Sequence, residues 1–413
     1  MIDDHLFDRL AARIETYTQA MTDMQVALTA IPALAPENGG DGEYEKSRLL
    51  LSYLKDGGFP HVWEINAPDP RVSALCRPNI LATVPGKNQG KTVWVLTHMD
   101  VVPPGEVTSW TADPYRAYVK DGQVFGRGTE DNQQDLVASF FAAKAFLDEG
   151  ITPEKNFGLA LVADEETSSQ AGLAYLLNQE NNPFLKTDII VVPDAGDEAG
   201  SHIEVAEKSI LWLQIKTRGQ QTHASRPDLG KNAFLAASHL VVRLYALHKI
   251  FDAVDPLFYP PVSTFQPTKK EANVPNINTI PGSDIFYLDC RVLPTYPLPE
   301  VIASVRTAAN EVEKNFNVAI EITPVQYMEA PPPTPLDAPV VSSLKQAIRD
   351  VYQLEAVPAG IGGGTVAAHF RKLGYPAAVW CRITQTAHQP DESCKIENMI
   401  GNAKVYAHLC LQR

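Results

Sequence analysis

Three short, nearly uninterrupted apolar runs constrain this chain more than any other feature: TVWVL at 92–96, FGLALV at 157–162 and DIIVV at 188–192. A strand with one wet face alternates apolar and polar residues, whereas a strand covered on both faces does not. Between the first two runs lies QQDLVASFFAAKAFL at 133–147, whose apolar residues recur at helical spacing. With a further strand at 79–84, this alternation predicts an α/β fold, a sheet with parallel strands and helices on both faces.

From Leu211 the pattern changes. The order becomes strand (211–217), helix (232–247), strand (262–266), strand (284–292), helix (299–315) and strand (318–324). That is βαββαβ, the split layout of a small ferredoxin-like domain. The stretch Ala330-Pro331-Pro332-Pro333-Thr334-Pro335 can continue neither a strand nor a helix and reads as a hinge, with an earlier one near Glu207. A helix at 340–352 and a strand at 377–381 then return to the first domain. The expected division is 1–207 with 335–413 as a discontinuous catalytic domain and 208–334 as an inserted one.

Composition excludes several functions. Against 35 basic residues stand 49 acidic ones, a net charge of -14, which disfavours a nucleic-acid backbone or an anionic membrane as partner. Five cysteines, odd in number and without CxxC spacing, indicate neither a disulfide framework nor a cysteine metal site. Reduced thiols point to the cytoplasm. The N-terminal MIDDHLFDRLAARIETYTQAM is acidic and helical in period, unlike a signal peptide. No apolar run approaches the ~20 residues of a membrane span.

Chemistry gathers where the apolar runs end. His98 and Asp100 follow TVWVL, Asp164-Glu165-Glu166 follow FGLALV, and Asp194 follows DIIVV. His388 comes shortly after AAVWC at 377–381, and Asp131 stands just before the helix that starts near Gln133. In open α/β sheets, sites form at the carboxyl ends of strands, so these segments can converge. Imidazoles mixed with carboxylates suit Zn²⁺, with Mn²⁺ or Co²⁺ as substitutes. Singly, each has an ordinary explanation: a histidine after a strand is commonly structural, an acidic pair is commonly solvated, and Gly126-Arg127-Gly128 is a tight loop. Their joint occurrence in this order is what carries the signal.

The segments THMDVVPPGEVTSWTADP (97–114), FGRGTEDNQQ (125–134), ADEETSS (163–169), THASRPDLGKNA (222–233), NTIPG (278–282), DCRVLP (289–294), GGGT (362–365) and AHQPDE (387–392) span most of the chain. In sequence and order it resembles the co-catalytic zinc hydrolases that include aminoacylase, acetylornithine deacetylase, succinyl-diaminopimelate desuccinylase, glutamate carboxypeptidase and the carnosine-type dipeptidases. The resemblance implies a zinc-hydrolase catalytic domain with a lid domain that dimerises. It implies two Zn²⁺, one held by His98 and Asp194, the other by Glu166 and His388, with Asp131 bridging. Asp100 would orient His98, and Glu165 would be the general base for attack of a bridging hydroxide on an amide. A cis peptide between Asp131 and Asn132 is also implied.

In the inserted domain, His223 resembles the family's lid histidine, which reaches the substrate carbonyl, often from a neighbouring subunit. Asn278 and Arg291 resemble substrate-binding lid residues, and Gly363, Gly364 and Thr365 a loop that receives a carboxylate. Arg291 also stands where Asp289 or Asp284 would make it an ordinary ion-pair partner. Departures blur the substrate. Asn132-Gln133-Gln134 stands where many deacylases have lysine and glycine, and Val366-Ala367 where desuccinylases often have aspartate. GGGT followed by Val366-Ala367 is closer to the dipeptidases, while length and HMDVVPPGE favour the desuccinylase and deacetylase branch. The expectation is hydrolysis of small N-acylated amino acids, with a dipeptidase or carboxypeptidase as alternative. A relative without catalysis, used for binding or assembly, would lack a ligand or the base.

Overall fold

A computed structural model describes residues 2–413. The chain forms two compact units. The first takes residues up to Val205, Thr334–Pro358 and Thr365–Arg413; the second takes Ala206–Pro333 and Ala359–Gly364.

An eight-stranded sheet runs in the order His61–Pro68, Cys76–Val84, Lys155–Val162, Asn88–His98, Ile189–Val192, Ala377–Val379, His202–Glu207 and Val357–Ile361. Its central four strands are parallel. The strands of the first apolar runs are thus direct neighbours, as their composition requires. The flanks are antiparallel: His61–Pro68 on Cys76–Val84, that strand on Lys155–Val162, and Ala377–Val379 on His202–Glu207. One face carries the helix Gln134–Glu149, packed against Asp4–Thr16 and Ile396–Leu411. The other carries Leu173–Leu177 and Ala367–Lys372, whose Leu173, Leu176 and Phe370 close over Trp94, Ala160 and Ile190.

Side chains fix the register of the central strands. Trp94 stands opposite Gly158, and a Cβ there would lie 2.3 Å from the indole, so only glycine leaves room for the ring. The indole Nε1 donates to Asp188 at 3.1 Å, and Asp188 also accepts the Thr92 N–H at 2.9 Å. That explains an aspartate at the head of an apolar run: a buried donor and a strand end both need an acceptor.

In the second unit, four antiparallel strands run in the order Thr264–Lys270, Ser283–Val292, Ser209–Arg218, Ala319–Met328. Strict alternation buries Phe286, Leu288, Cys290 and Val292 against the helices Ala233–Leu244 and Leu298–Phe316. The expected helix over 232–247 divides into Ala233–Leu244 and Leu247–Ile250. Asn232 caps it by accepting the Leu235 N–H at 3.0 Å. Among the described residues, no helix is long and apolar enough to cross a membrane.

Candidate metal centre

Strand register does the first part of the assembly. His98 ends its strand opposite Val162, and Val95 pairs Val191, so the residues after all three strands emerge side by side. Asp194 then lies 3.4 Å from His98 Nε2. Asp131 arrives on the loop before the helix Gln134–Glu149. That loop turns at Gly128, where φ is 85° and a Cβ would meet Val101 at 2.6 Å. The peptide between Asp131 and Asn132 is cis. The Asn132 amide donates to the Pro193 carbonyl at 2.5 Å and its oxygen accepts the His98 N–H at 3.4 Å, which ties the loop to both strand ends.

Asp131 is central. One carboxylate oxygen lies 2.9 Å from His98 Nε2, and the other 3.1 Å from His388 Nε2. Glu166 is also 3.1 Å from that His388 nitrogen. Two overlapping groups result, His98–Asp131–Asp194 and Asp131–Glu166–His388, each with ligand atoms within 4.8 Å of one another. Imidazole nitrogen with carboxylate oxygen is a donor set that fits a divalent cation of the zinc type.

Neighbouring groups aim these side chains. His98 Nδ1 donates to the Asp100 carbonyl oxygen at 3.0 Å, which aims Nε2 at Asp131. The Asp100 carboxylate lies 3.5 Å from the same Nδ1 and also accepts the N–H groups of Glu165 at 3.1 Å and Glu166 at 2.9 Å. The residue expected only to orient His98 therefore also locks the acidic turn against it. Burial lowers the pKa of His98, yet hydrogen bonds to Asp100, Asp131 and Asp194 hold it well above its usual value. Burial and then the like charge of Asp194 push Glu165 well above the usual carboxylate range. Glu165 belongs to neither ligand group.

Sequence reasoning missed the support beneath the turn. Glu43, fully buried, pairs through both oxygens with Arg77 and accepts the Asp164 N–H at 3.2 Å. Asp164 in turn accepts from Ser168 Oγ at 3.0 Å and the Ala171 N–H at 2.9 Å. Neither Glu43 nor Arg77 stands beside a recognisable motif, because a backbone acceptor imposes no spacing.

In the second unit, His223 sits on the two-residue strand Thr222–His223, paired with Thr279–Ile280. Its Nδ1 accepts the Ser225 N–H at 3.2 Å, so the neutral ring carries its proton on Nε2, and the side chain is exposed. The Asn278 carbonyl accepts the Ala224 N–H at 2.8 Å, which puts Asn278 on the same ribbon. Arg291 forks onto Asp289 at 2.8 and 3.1 Å and donates to the Gly362 carbonyl at 3.0 Å. Its guanidinium thus makes the ion pair weighed above and steadies the glycine segment. Around Gly363 a Cβ would meet nothing within 4 Å, while at Gly364 it would meet Met328 at 2.7 Å. Thr365 belongs to the first unit, where its hydroxyl accepts the Ala367 N–H at 3.2 Å at the start of a short helix.

An α/β sheet whose strand ends converge on paired imidazole and carboxylate groups defines a metallohydrolase. Residues 94–412 match the family described as Peptidase family M20/M25/M40, and the chain belongs to that family. It is 41% identical over 403 residues to an uncharacterised metallohydrolase of Methanococcus maripaludis, covering 92% of this chain and 95% of that one. It is 28% identical over 367 residues to a succinyl-diaminopimelate desuccinylase of Roseobacter denitrificans, covering 87% and 91%. The fold is that of human carnosine dipeptidase 1, with a TM-score of 0.75 at 18% identity over 98% of both chains. The protein is a metal-dependent enzyme of this family.

Proposed function

We propose that the enzyme hydrolyses the amide bond of a small N-acylated amino acid. The observation that carries this reading is Asp131, whose two oxygens each meet a different imidazole, with Glu165 beside the pair and outside both ligand groups. His98, Asp131 and Asp194 would hold one Zn²⁺ and Asp131, Glu166 and His388 a second, with Co²⁺ or Mn²⁺ as substitutes. Bound cations supply a Lewis acid for the carbonyl oxygen and lower the pKa of water. Glu165 takes the proton from the attacking water and returns it to the departing nitrogen. His223 donates its Nε2 proton to the oxygen on which charge develops. Asn278 and Arg291 would bind the substrate, and the loop with Gly363, Gly364 and Thr365 would receive its carboxylate. The reading includes a cytoplasmic homodimer formed through the inserted unit.

Similarity to the Roseobacter desuccinylase favours an acyl donor, while the fold of the carnosine dipeptidase and the GGGT segment favour a second reading, a dipeptidase. Protein loaded with Zn²⁺, Co²⁺ or Mn²⁺ and offered N-succinyl, N-acetyl and dipeptide substrates separates the two. Glu165→Gln should keep its metal while losing about 10²–10⁴-fold in rate. Full activity in that variant removes Glu165 from the mechanism. A metal-loaded wild type that cleaves none of the three classes defeats the reading as a whole.

A further inference from the structure

Two buried carboxylates outside the ligand groups grip each other's loops. Glu130 and Glu392 are 3% and 0% exposed. Glu130 precedes Asp131, yet its carboxylate accepts the backbone N–H groups of Thr384 at 2.8 Å, Thr386 at 2.7 Å and Ala387 at 3.2 Å. The hydroxyls of Thr384 and Thr386 donate to it as well. All of these donors lie on the segment that leads into His388. Glu392, just beyond His388, reaches the other way. It accepts the N–H groups of Gly128 at 2.9 Å, Glu130 at 3.0 Å and Asp131 at 3.0 Å, and the Arg127 guanidinium at 2.5 Å.

The His388 segment needs such restraint. Gln385, His388 and Asp391 have φ of 66°, 63° and 55°, left-handed values that L-residues adopt only where surroundings dictate them. Its remaining tethers include Asp391, which accepts from the Thr111 N–H at 2.8 Å and hydroxyl at 2.7 Å. Together the two glutamates accept from six backbone N–H groups, two hydroxyls and a guanidinium, against one N–H and one hydroxyl for Asp391, so they dominate the restraint.

We propose that Glu130 and Glu392 are positioning residues forming a reciprocal clasp, which holds His388 against Asp131 before any cation binds. The proposal rests on the two-cation reading above for its consequence and on the hydrogen bonds alone for its structure. That consequence is asymmetric. His98 and Asp194 stand at the ends of paired strands and do not depend on Glu130, whereas His388 does. Loss of Glu130 should therefore weaken the Asp131–Glu166–His388 group and spare the other, since a group assembled only part of the time binds in proportion to that fraction.

Two measurements on the full chain test this, using Glu130→Gln, whose amide would turn donors toward donors. In metal-free protein, amide hydrogen exchange at Thr384, Thr386 and Ala387 should quicken by about tenfold or more, and in Glu392→Gln the same should happen at Gly128 and Asp131. In a Zn²⁺ titration against a chelator, Glu130→Gln should keep one equivalent as tight as wild type while the other weakens about 10–100-fold, the usual range for such supporting groups. Thr384→Val, a milder change, should move the same equivalent in the same direction. Unaltered exchange at these amides in Glu130→Gln overturns the clasp. So does a variant that melts earlier yet binds both equivalents as wild type does, because that marks a structural role only. A wild type that binds fewer than two equivalents overturns the two-cation reading instead, and the exchange result still judges the clasp.

Discussion

His388 shows how one side chain links the acidic cluster to pH. Hydrogen bonds that it donates to Asp131 and then to Glu166 raise its pKa from 6.5 to about 10. In metal-free protein the ring is therefore protonated at neutral pH, and a cation can reach its nitrogen only by displacing that proton. Because the folded value lies above the unfolded one, the contact stabilises metal-free protein fully below about 6.5, and that contribution fades as pH rises towards 10. Loading with Zn²⁺ in weakly buffered solution at neutral pH should release protons, and apparent affinity should rise with pH. Uptake with no net proton release would remove His388 from the ligand set. The side chains that converge here, His98, Asp131, Glu165, Glu166, Asp194 and His388, were legible because each stands beside an apolar run or a glycine turn. Glu130, Glu392 and Glu43 were not, since they act on backbone N–H groups from distant segments.

Elements were legible in proportion to the purity of their pattern. The central parallel strands and the alternating strand Ser283–Val292 announce themselves, one by continuous burial and the other by period two. The flanking strands His61–Pro68 and Val357–Ile361 do not. HVWEINAP is mostly exposed, and VPAGI contains proline and glycine, so only their neighbours in the sheet make them strands. Between elements, the Arg77–Glu43 pair joins the strand Cys76–Val84 to the start of the helix Tyr44–Asp56, with both side chains at 0% exposure. Removing the guanidinium strands a buried carboxylate, and Arg77→Met should cost about 3–5 kcal/mol. The urea midpoint should fall accordingly, and adding Glu43→Gln should recover part of the loss, because the uncompensated charge is gone. A cost below about 1 kcal/mol in the single variant would mean that the pair is not the anchor of the Asp164 turn.

At the scale of the molecule, the second unit presents apolar residues with no cover of its own. Val242 and Tyr245, on and just after the helix Ala233–Leu244, are 75% and 73% exposed, and Phe234 and Leu235 are also exposed. Apolar residues held outward along one helix are what the proposed homodimer would cover. In a symmetric dimer, a histidine on the inserted unit can serve either chain. The two cases separate in mixtures of Glu165→Ala and His223→Ala, each inactive alone. In a mixed dimer, the chain carrying His223→Ala retains its own Glu165 and metal ligands, and needs only His223 of the partner subunit. If the histidine acts across the interface, exchanging subunits should restore up to one working centre per mixed dimer, with activity rising as mixed dimers form on a native mass spectrum. If mixed dimers form and stay inactive, the histidine serves its own chain. Should Val242→Glu with Tyr245→Glu yield folded monomers that keep full activity, the shared histidine does not survive, and should that variant stay dimeric, the dimer does not form through this face.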